Sequence, residues 1–358
     1  MTHNKSKSAL LQGTCFAALL IELFIADYAL PQTPYEDKTI TVIVGSGAGG
    51  SLDQWNRAAV SVFRRHVPGN PAVVMEYMPG AGGRRAANHI YKAARPDGLT
   101  IGALSGPFIT DAIFGEVGVV YDIHKFIYLG AIMSGSPRSF FTRKAAGLDS
   151  LEKLRDASGV RIGARAVGHA LYLDGRIFAY LIGMREPKFV VGYGGEEILV
   201  GLMRGEVDAY TQDITATLQR HSDWVEKGLM DFHATIELPK GRKHPHPLFA
   251  RLPDLENFAK SDRERKFLTL ARTLRWIGQP WVLPPGTPED RVQILREAMA
   301  KAFKDPEYNT EFKKLAVEEP KPLAPEELED TVRRLPRDPD ILDLFKKLNG
   351  PDPLPPRR

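Results

Sequence analysis

The chain has 358 residues, 43% hydrophobic and 26% charged, with a formal net charge of +4. That is enough chain for two ordinary domains, and the balance excludes a disordered or membrane-spanning protein. The mild positive charge, with no Lys/Arg stripe interleaved with aromatics, argues against a nucleic-acid partner. A single cysteine, Cys15, excludes an internal disulfide and a CxxC metal site.

The first feature is residues 1–29. Lys5 and Lys7 precede an apolar segment from Ala9 to Ile25, and a polar turn follows. This is the layout of a secretory signal peptide, with cleavage expected near Ala26 or Ala29. Glu22 inside the segment argues against a stable transmembrane helix. Gln12-Gly13-Thr14 ahead of Cys15 makes a poor lipoprotein signal. The expectation is an exported protein whose mature chain lacks cysteine, the alternative being a cytosolic protein with an amphipathic N-terminal helix.

From Thr39 to Asn56 the sequence passes from a β-branched strand (Ile40, Val42, Ile43, Val44) through Gly45, Gly47, Gly49 and Gly50 into an amphipathic helix. Leu52, Trp55, Ala59, Val62 and Phe63 mark the helix's apolar face. A strand, a glycine turn and a helix start together present backbone N–H groups to an anion. Gly45-x-Gly47-x-x-Gly50 also satisfies the dinucleotide fingerprint. A second strand from Ala72 to Tyr77 leads into Pro79-Gly80-Ala81-Gly82-Gly83 and a helix carrying Ala86, Ala87, Ile90, Tyr91 and Ala94. Arg95-Pro96-Asp97-Gly98 is a turn, and Leu99 to Leu104 a third strand, ended by Ser105-Gly106-Pro107. This β-α-β-α-β alternation predicts a parallel sheet between helices.

Phe126 to Met133 predicts another strand, interrupted by Ser134-Gly135-Ser136-Pro137 and resumed from Ser139 to Arg143. A helix starts at Leu151 after Ser150, a good N-cap. Val160 to Ala164 is a strand, followed by Arg165-Ala166-Val167-Gly168-His169 and a helix through Leu181. Lys188 to Tyr193 is a strand, then Gly194-Gly195, then a helix carrying Ile198, Leu199, Leu202 and Met203. Gly205-Glu206-Val207-Asp208 turns into a strand ending at Asp213. Residues 237–253 are polar and proline-rich, and the remainder is mostly helical. Thr287-Pro288-Glu289-Asp290 predicts an N-cap with proline at the first helical position, for a helix burying Val292, Leu295, Met299 and Phe303. Asp305-Pro306 starts another helix, and Asn349 to Arg358 is a loose proline-rich end.

Six pieces in order resemble a known family. They are Ala48-Gly49-Gly50-Ser51 with Asp53; Met78 to Gly83 running on to Pro96-Asp97-Gly98-Leu99-Thr100-Ile101-Gly102; Gly192-Tyr193-Gly194-Gly195; Gly205-Glu206-Val207-Asp208; Leu252-Pro253-Asp254; and Pro284-Pro285-Gly286-Thr287-Pro288. Together they resemble the solute-binding proteins of tripartite tricarboxylate transporters, the Bug type, over about Tyr35 to Leu335. The chain resembles an outlying member. Gly45-Ser46 stands where the family usually has Pro-Phe, and the loop from Arg165 to His169 replaces small hydroxyl residues.

The resemblance implies an α/β, two-domain periplasmic-binding-protein-like (type II) fold, each domain a mixed, mostly parallel sheet flanked by helices. The first lobe would comprise residues 36–134 and 238–335, the second 135–237, with a C-terminal helix and loose tail over 336–358. It implies a monomeric periplasmic protein that captures a small di-, tri- or aromatic carboxylate for membrane permease subunits, with no cofactor, metal or catalytic residue. An envelope sensor or adaptor with the same cleft is the alternative function.

Loops at strand C-termini would face the cleft. In the first loop, Ser46, Gly47, Ala48, Gly49, Gly50 and Ser51 would offer N–H groups to a carboxylate, with Asp53 organising the turn. Ser105 and Gly106 would add a hydroxyl and an N–H. In the second lobe, Arg165, Ala166, Gly168 and His169 begin a helix, and Arg165 could clamp a distal carboxylate. Tyr193, Gly194 and Gly195 repeat the strand–glycine–helix pattern, and Asp213 orders the hinge-side loop. Gly80, Gly82 and Gly83 are expected to serve packing. A nicotinamide-dependent oxidoreductase, with Glu76 ending the second strand as ribose ligand, is a distant alternative, because no catalytic Tyr/Lys or Cys/His grouping accompanies it. His244 and His246, without further ligands nearby, make a poor metal site.

Overall fold

The computed structural model describes residues 34–194, 197–316 and 319–357. The expected signal peptide with Cys15, and Gly195, lie outside the described residues. The chain opens with β1 (Thr39–Val44), α1 (Ser51–His66), β2 (Ala72–Tyr77), α2 (Arg84–Lys92), β3 (Thr100–Ala103), α3 (Pro107–Phe114) and β4 (Ile127–Ala131). It then crosses into β5 (Arg138–Arg143), α4 (Leu151–Asp156), β6 (Arg161–Gly163), α5 (Ala170–Ile182) and β7 (Lys188–Val190). Next come α6 (Glu197–Arg204), β8 (Ala209–Asp213), α7 (Ile214–Arg220), α8 (Ser222–Glu226) and β9 (Met230–Ile236). The return passes α9 (Pro247–Ala250) and α10 (Asp262–Ile277) to β10 (Pro280–Leu283), followed by α11 (Glu289–Lys304), α12 (Pro306–Ala316), α13 (Pro325–Arg333) and α14 (Pro339–Asn349). No helix among the described residues is long and apolar enough to cross a membrane.

Two five-stranded sheets result, ordered β2-β1-β3-β10-β4 and β7-β6-β8-β5-β9. In the first, β1 runs parallel to β2 and β3, while β10 is antiparallel to both β3 and β4. In the second, β6 runs parallel to β7 and β8, while β5 is antiparallel to β8 and β9. Four strands of each sheet therefore share a direction and the fourth in spatial order is reversed. The reversed strands are the ones entered on crossing between sheets. The chain arrives where the other strands end, so its next strand must run back. The result is a mixed α/β fold of two five-stranded sheets, each flanked by helices.

Local sequence explains the early elements. Val42, Ile43 and Val44 of β1 are buried, as an interior parallel strand requires. On α1, Ala58, Ala59, Val62 and Phe63 form the buried face. Asp53 sits in its first turn and Arg64, Arg65 and His66 in its last, matching the helix dipole. Pro68 then bars continuation. The fully buried Trp281 of β10 donates from Nε1 to Asn56 Oδ1 at 2.8 Å and meets Phe63 edge-on, locking the returning strand to the first helix.

Beyond the third strand, Pro107 opens α3, which buries Phe108 and Ile109. Two features correct the sequence reading. Thr287 does not cap α11. Pro288 holds that position, and Thr287 Oγ1 donates to the Pro284 carbonyl. The C-terminal end is not loose. Tyr172 OH donates to Gly350 O, and Arg357 binds the carbonyls of Leu181 and Phe258 and the carboxylate of Glu264. One apolar core extends from Phe108 and Tyr128 beside the first sheet, through Phe267 of α10 and Phe345 of α14, to Phe140 and Phe178 in the second. The two sheets are thus joined by packed side chains on one side of the molecule.

Candidate functional site

A cavity of about 470 Å³ lies between the sheets, where the same-direction strands end. Trp55 of α1 reaches it from the first sheet. Ser134, Gly135 and Ser136 of the first crossover form part of its lining, and Arg138, Arg165, His169 and Asp213 come from the second sheet. Lys321, in the segment between α12 and α13, completes it.

The two crossovers touch. Gln279 N–H donates to Met133 O and Ile132 N–H to Gln279 O, and a Cβ on Gly135 would stand 2.4 Å from the Arg275 carbonyl. Beneath them lies a charge cluster. Asp174 of α5, fully buried, accepts from Arg275 of α10, and its Oδ2 lies 3.3 Å from Arg138 Nε. Arg138 Nη1 lies 3.9 Å from Asp213 Oδ2.

His169 caps α5, its Nδ1 accepting the Leu171 N–H at 3.2 Å. That bond assigns the proton of the neutral ring to Nε2. Burial, with the charges of Arg165 and Arg138 opposing Asp174, holds its pKa below the ordinary histidine value. A neutral donor therefore lines the cavity. Asp213 caps α7 through Oδ1 and the Ala216 N–H, ordering the loop after β8.

Two buried donors at the cavity, Trp55 Nε1 and Ser134 Oγ, have no hydrogen-bond partner among the described residues, while Arg138 Nε faces the Asp174 carboxylate in an ion pair. An unsatisfied buried polar group is costly, so two at one cavity point to a ligand rich in acceptors. Among the described residues the cavity lining includes the cations Arg138, Arg165, Arg220 and Lys321 and the carboxylates Asp213 and Glu319, with Arg138 paired to Asp174 and Asp213.

Residues expected from the sequence fall in several places. Arg165, His169 and Asp213 line the cavity. Ala166 and Gly168 are exposed beside Arg165 and do not line it. The first loop stands apart. Ser46 borders a separate narrow depression with Ser105 and Gln279, while Gly47, Ala48, Gly49 and Gly50 are exposed. Gly49 N–H is already used, donating to Asp53 Oδ2 at 2.8 Å. Asp53 also accepts from Tyr77 OH at 2.5 Å and pairs with Arg57. Burial alone would raise its pKa, and these bonds outweigh that and lower it. Gly50 ends the loop at the start of α1 with no side-chain cap, and Ser51 opens the helix. Ser105 Oγ faces the Gly82 carbonyl, and Gly45 packs on Gly83, so the second glycine loop fills space. Gly106 precedes α3 outside the cavity lining.

Tyr193 and Gly194 are engaged elsewhere. Tyr193 OH donates to Glu206, and Gly194 N–H donates to Glu197 at 2.6 Å. Neither lines the cavity. Sequence reasoning missed Trp55, Ser134, Arg138 and Lys321. The Ser134 to Pro137 interruption signalled the crossover, and Trp55 read as one more apolar helix position.

No group of three metal-ligating side chains occurs among the described residues. His244 and His246 use Nδ1 to accept local N–H groups, and both pack on Phe249.

No family model matches the sequence, and no curated protein matches it significantly. Solved structures do. A TctC solute-binding protein from Polaromonas, without ligand, is 19% identical, with 87% of this chain and 97% of that one covered and a TM-score of 0.66. The periplasmic binding protein BugD is 20% identical over 88% and 99%, with a TM-score of 0.54. MatC from Rhodopseudomonas palustris with bound malate is 19% identical over 87% and 99%, with a TM-score of 0.51. The chain has the two-lobed fold of the TctC and Bug solute-binding proteins.

Proposed function

We propose that this chain is an exported, periplasmic solute-binding protein of the tripartite tricarboxylate transporter type. In this reading a monomer captures a small organic carboxylate between lobes comprising residues 36–134 with 238–335, and 135–237. It then presents the closed form to a membrane permease, without cofactor or catalytic step. The observation that carries the reading is the cavity between the sheets, where, among the described residues, Lys321 and Arg165 have no carboxylate partner and Trp55 Nε1 and Ser134 Oγ lack hydrogen-bond partners. Further support comes from similar structures that hold malate and adipate, the latter in an R. palustris protein with a TM-score of 0.52. The ligand would bind between the lobes and favour the closed state by contacting both.

Thermal shift against di-, tri- and aromatic carboxylates and NAD tests this. Stabilisation by one or more acids is expected, whereas stabilisation by NAD alone would overturn the reading. Pull-down of envelope membranes with and without the stabilising acid should recover a permease subunit in the ligand-dependent fraction.

A further inference from the structure

Lys321 is held unusually firmly for a lysine outside any helix. Its carbonyl accepts the Ser134 N–H at 2.7 Å, and two residues on, Leu323 exchanges both backbone hydrogen bonds with Ala131 at the end of β4. The side chain crosses the cleft, and Nζ donates to Ser136 Oγ at 2.6 Å and Thr215 Oγ1 at 3.2 Å. Ser136 belongs to the crossover and Thr215 to α7 of the second lobe. Among the described residues no carboxylate pairs with this ammonium. Glu319, two residues away, pairs with Lys313 instead.

A half-buried ammonium bonded only to hydroxyls lacks the counterion that would offset its lost hydration. Ser134, 4% exposed, lines the same cavity, and neither its Oγ nor the buried Nε1 of Trp55 has a hydrogen-bond partner among the described residues. An anion with several lone pairs would satisfy an ammonium and two neutral donors together and supply the missing counterion. Arg165, also without an ion pair among the described residues, lies on the second lobe's wall of the cavity.

Resting on the solute-binding reading, we infer that Lys321, Ser134 and Trp55 form the seat for one carboxylate of the ligand, and that Arg165 meets a second carboxylate. The ligand is then a small dianionic acid. Its first anchor is a side-chain seat at the crossover, not the glycine loop before α1, where Asp53 already occupies the Gly49 N–H.

The test is calorimetric titration of a dicarboxylate found by the thermal-shift panel, and of its matching monocarboxylate, into parent, Lys321→Met, Lys321→Arg, Ser134→Ala and Arg165→Ala proteins. Lys321→Met should weaken both acids by roughly 30-fold, as loss of a charged hydrogen bond predicts. Lys321→Arg should recover most of that loss. Arg165→Ala should weaken the dicarboxylate alone. The unliganded melting temperature of Lys321→Met should match or exceed the parent's, because an uncompensated charge is removed. If acids bind the parent and Lys321→Met equally well, the seat is wrong and the solute-binding reading stands. A lower melting temperature with unchanged affinity would make Lys321 a structural tie. If no acid binds the parent, the solute-binding reading itself fails. Ser134→Ala, which removes one hydroxyl from a folded site, keeps the seat testable should the lysine variants fold poorly. Unchanged affinity there would remove Ser134 from it.

Discussion

Arg176 and Leu348 are joined by a 2.8 Å hydrogen bond from the buried guanidinium Nε to the carbonyl near the end of α14. The same guanidinium donates to the carbonyls of Lys347 and Asp352, and lies over the rings of Tyr172 and Phe189. On its other side α14 meets the first lobe, where Phe345 packs on Phe114 and Phe267. The final helix is therefore a strap across the face where the lobes share a core.

Arg176→Met removes the donors while keeping much of the apolar stem. Three carbonyls lose their partner in a site where Arg176 is 1% exposed, so a destabilisation on the order of 3 kcal/mol is expected. Denaturant melts measure it. Hydrogen exchange should locate the loss in α14 and the C-terminal residues first, and unchanged protection there would show that the strap is held by apolar contacts alone.

Asp174→Asn should be worse tolerated than its isosteric shape suggests. Asp174 is the one carboxylate buried between Arg138 and Arg275. Its neutralisation takes the buried carboxylate from Arg275 and leaves Arg138 only Asp213, 3.9 Å away, at a cost of roughly 3–5 kcal/mol. Adding Arg275→Met should recover much of the loss, and a double-mutant cycle by chemical denaturation gives the coupling. Additive effects would show that the pair does not interact.

Gly278 and Gly286 both have positive φ, 60° and 86°, but differ in surroundings. A Cβ on Gly278 would lie 2.0 Å from the Met133 carbonyl, whereas one on Gly286 meets nothing within 4 Å. Gly286→Ala should cost about 1 kcal/mol, from backbone strain. Gly278→Ala must in addition separate the two crossovers. Its melting temperature should fall well below that of Gly286→Ala, and equal losses would show that the crossover contact yields easily.

His233, 3% exposed, is bonded to Thr142 Oγ1 at 2.9 Å. Burial pushes its pKa down to about 4, against the raising influence of Asp231 and Asp149. The unfolded chain takes up this proton near the ordinary histidine value of 6.5, and the folded chain only near 4. Its contribution to stability is thus complete above about pH 6.5 and disappears as pH falls towards 4, amounting to about 3 kcal/mol. His233→Gln should flatten that limb of the stability–pH curve. Parallel curves for parent and variant would show that other groups carry the acid sensitivity.

The early β-α-β-α-β run was legible because its signals are local: the β-branched run from Ile40 to Val44, the apolar spacing along α1, the turn at Pro96-Asp97-Gly98. Arg165 and His169 could be singled out because they follow a strand end in an α/β alternation. β10 was not legible. It has four residues, Pro280 to Leu283, and is a strand only through pairing with β3 and β4, more than a hundred residues earlier in the chain. Lys321 carries no local signature either, lying in a polar, proline-bearing stretch that resembles any connector.

Local periodicity and glycine turns by themselves determined the two β/α alternations, since these depend on residues a few positions apart. Only the tertiary structure decided where the polar groups go unanswered. Asp53 claims the Gly49 N–H in the first loop, while Trp55, Ser134 and Lys321, the last 266 positions after the first, converge on one cavity. Hydrogen-bond satisfaction is a property of all neighbours in space, and a sequence lists neighbours along one line only.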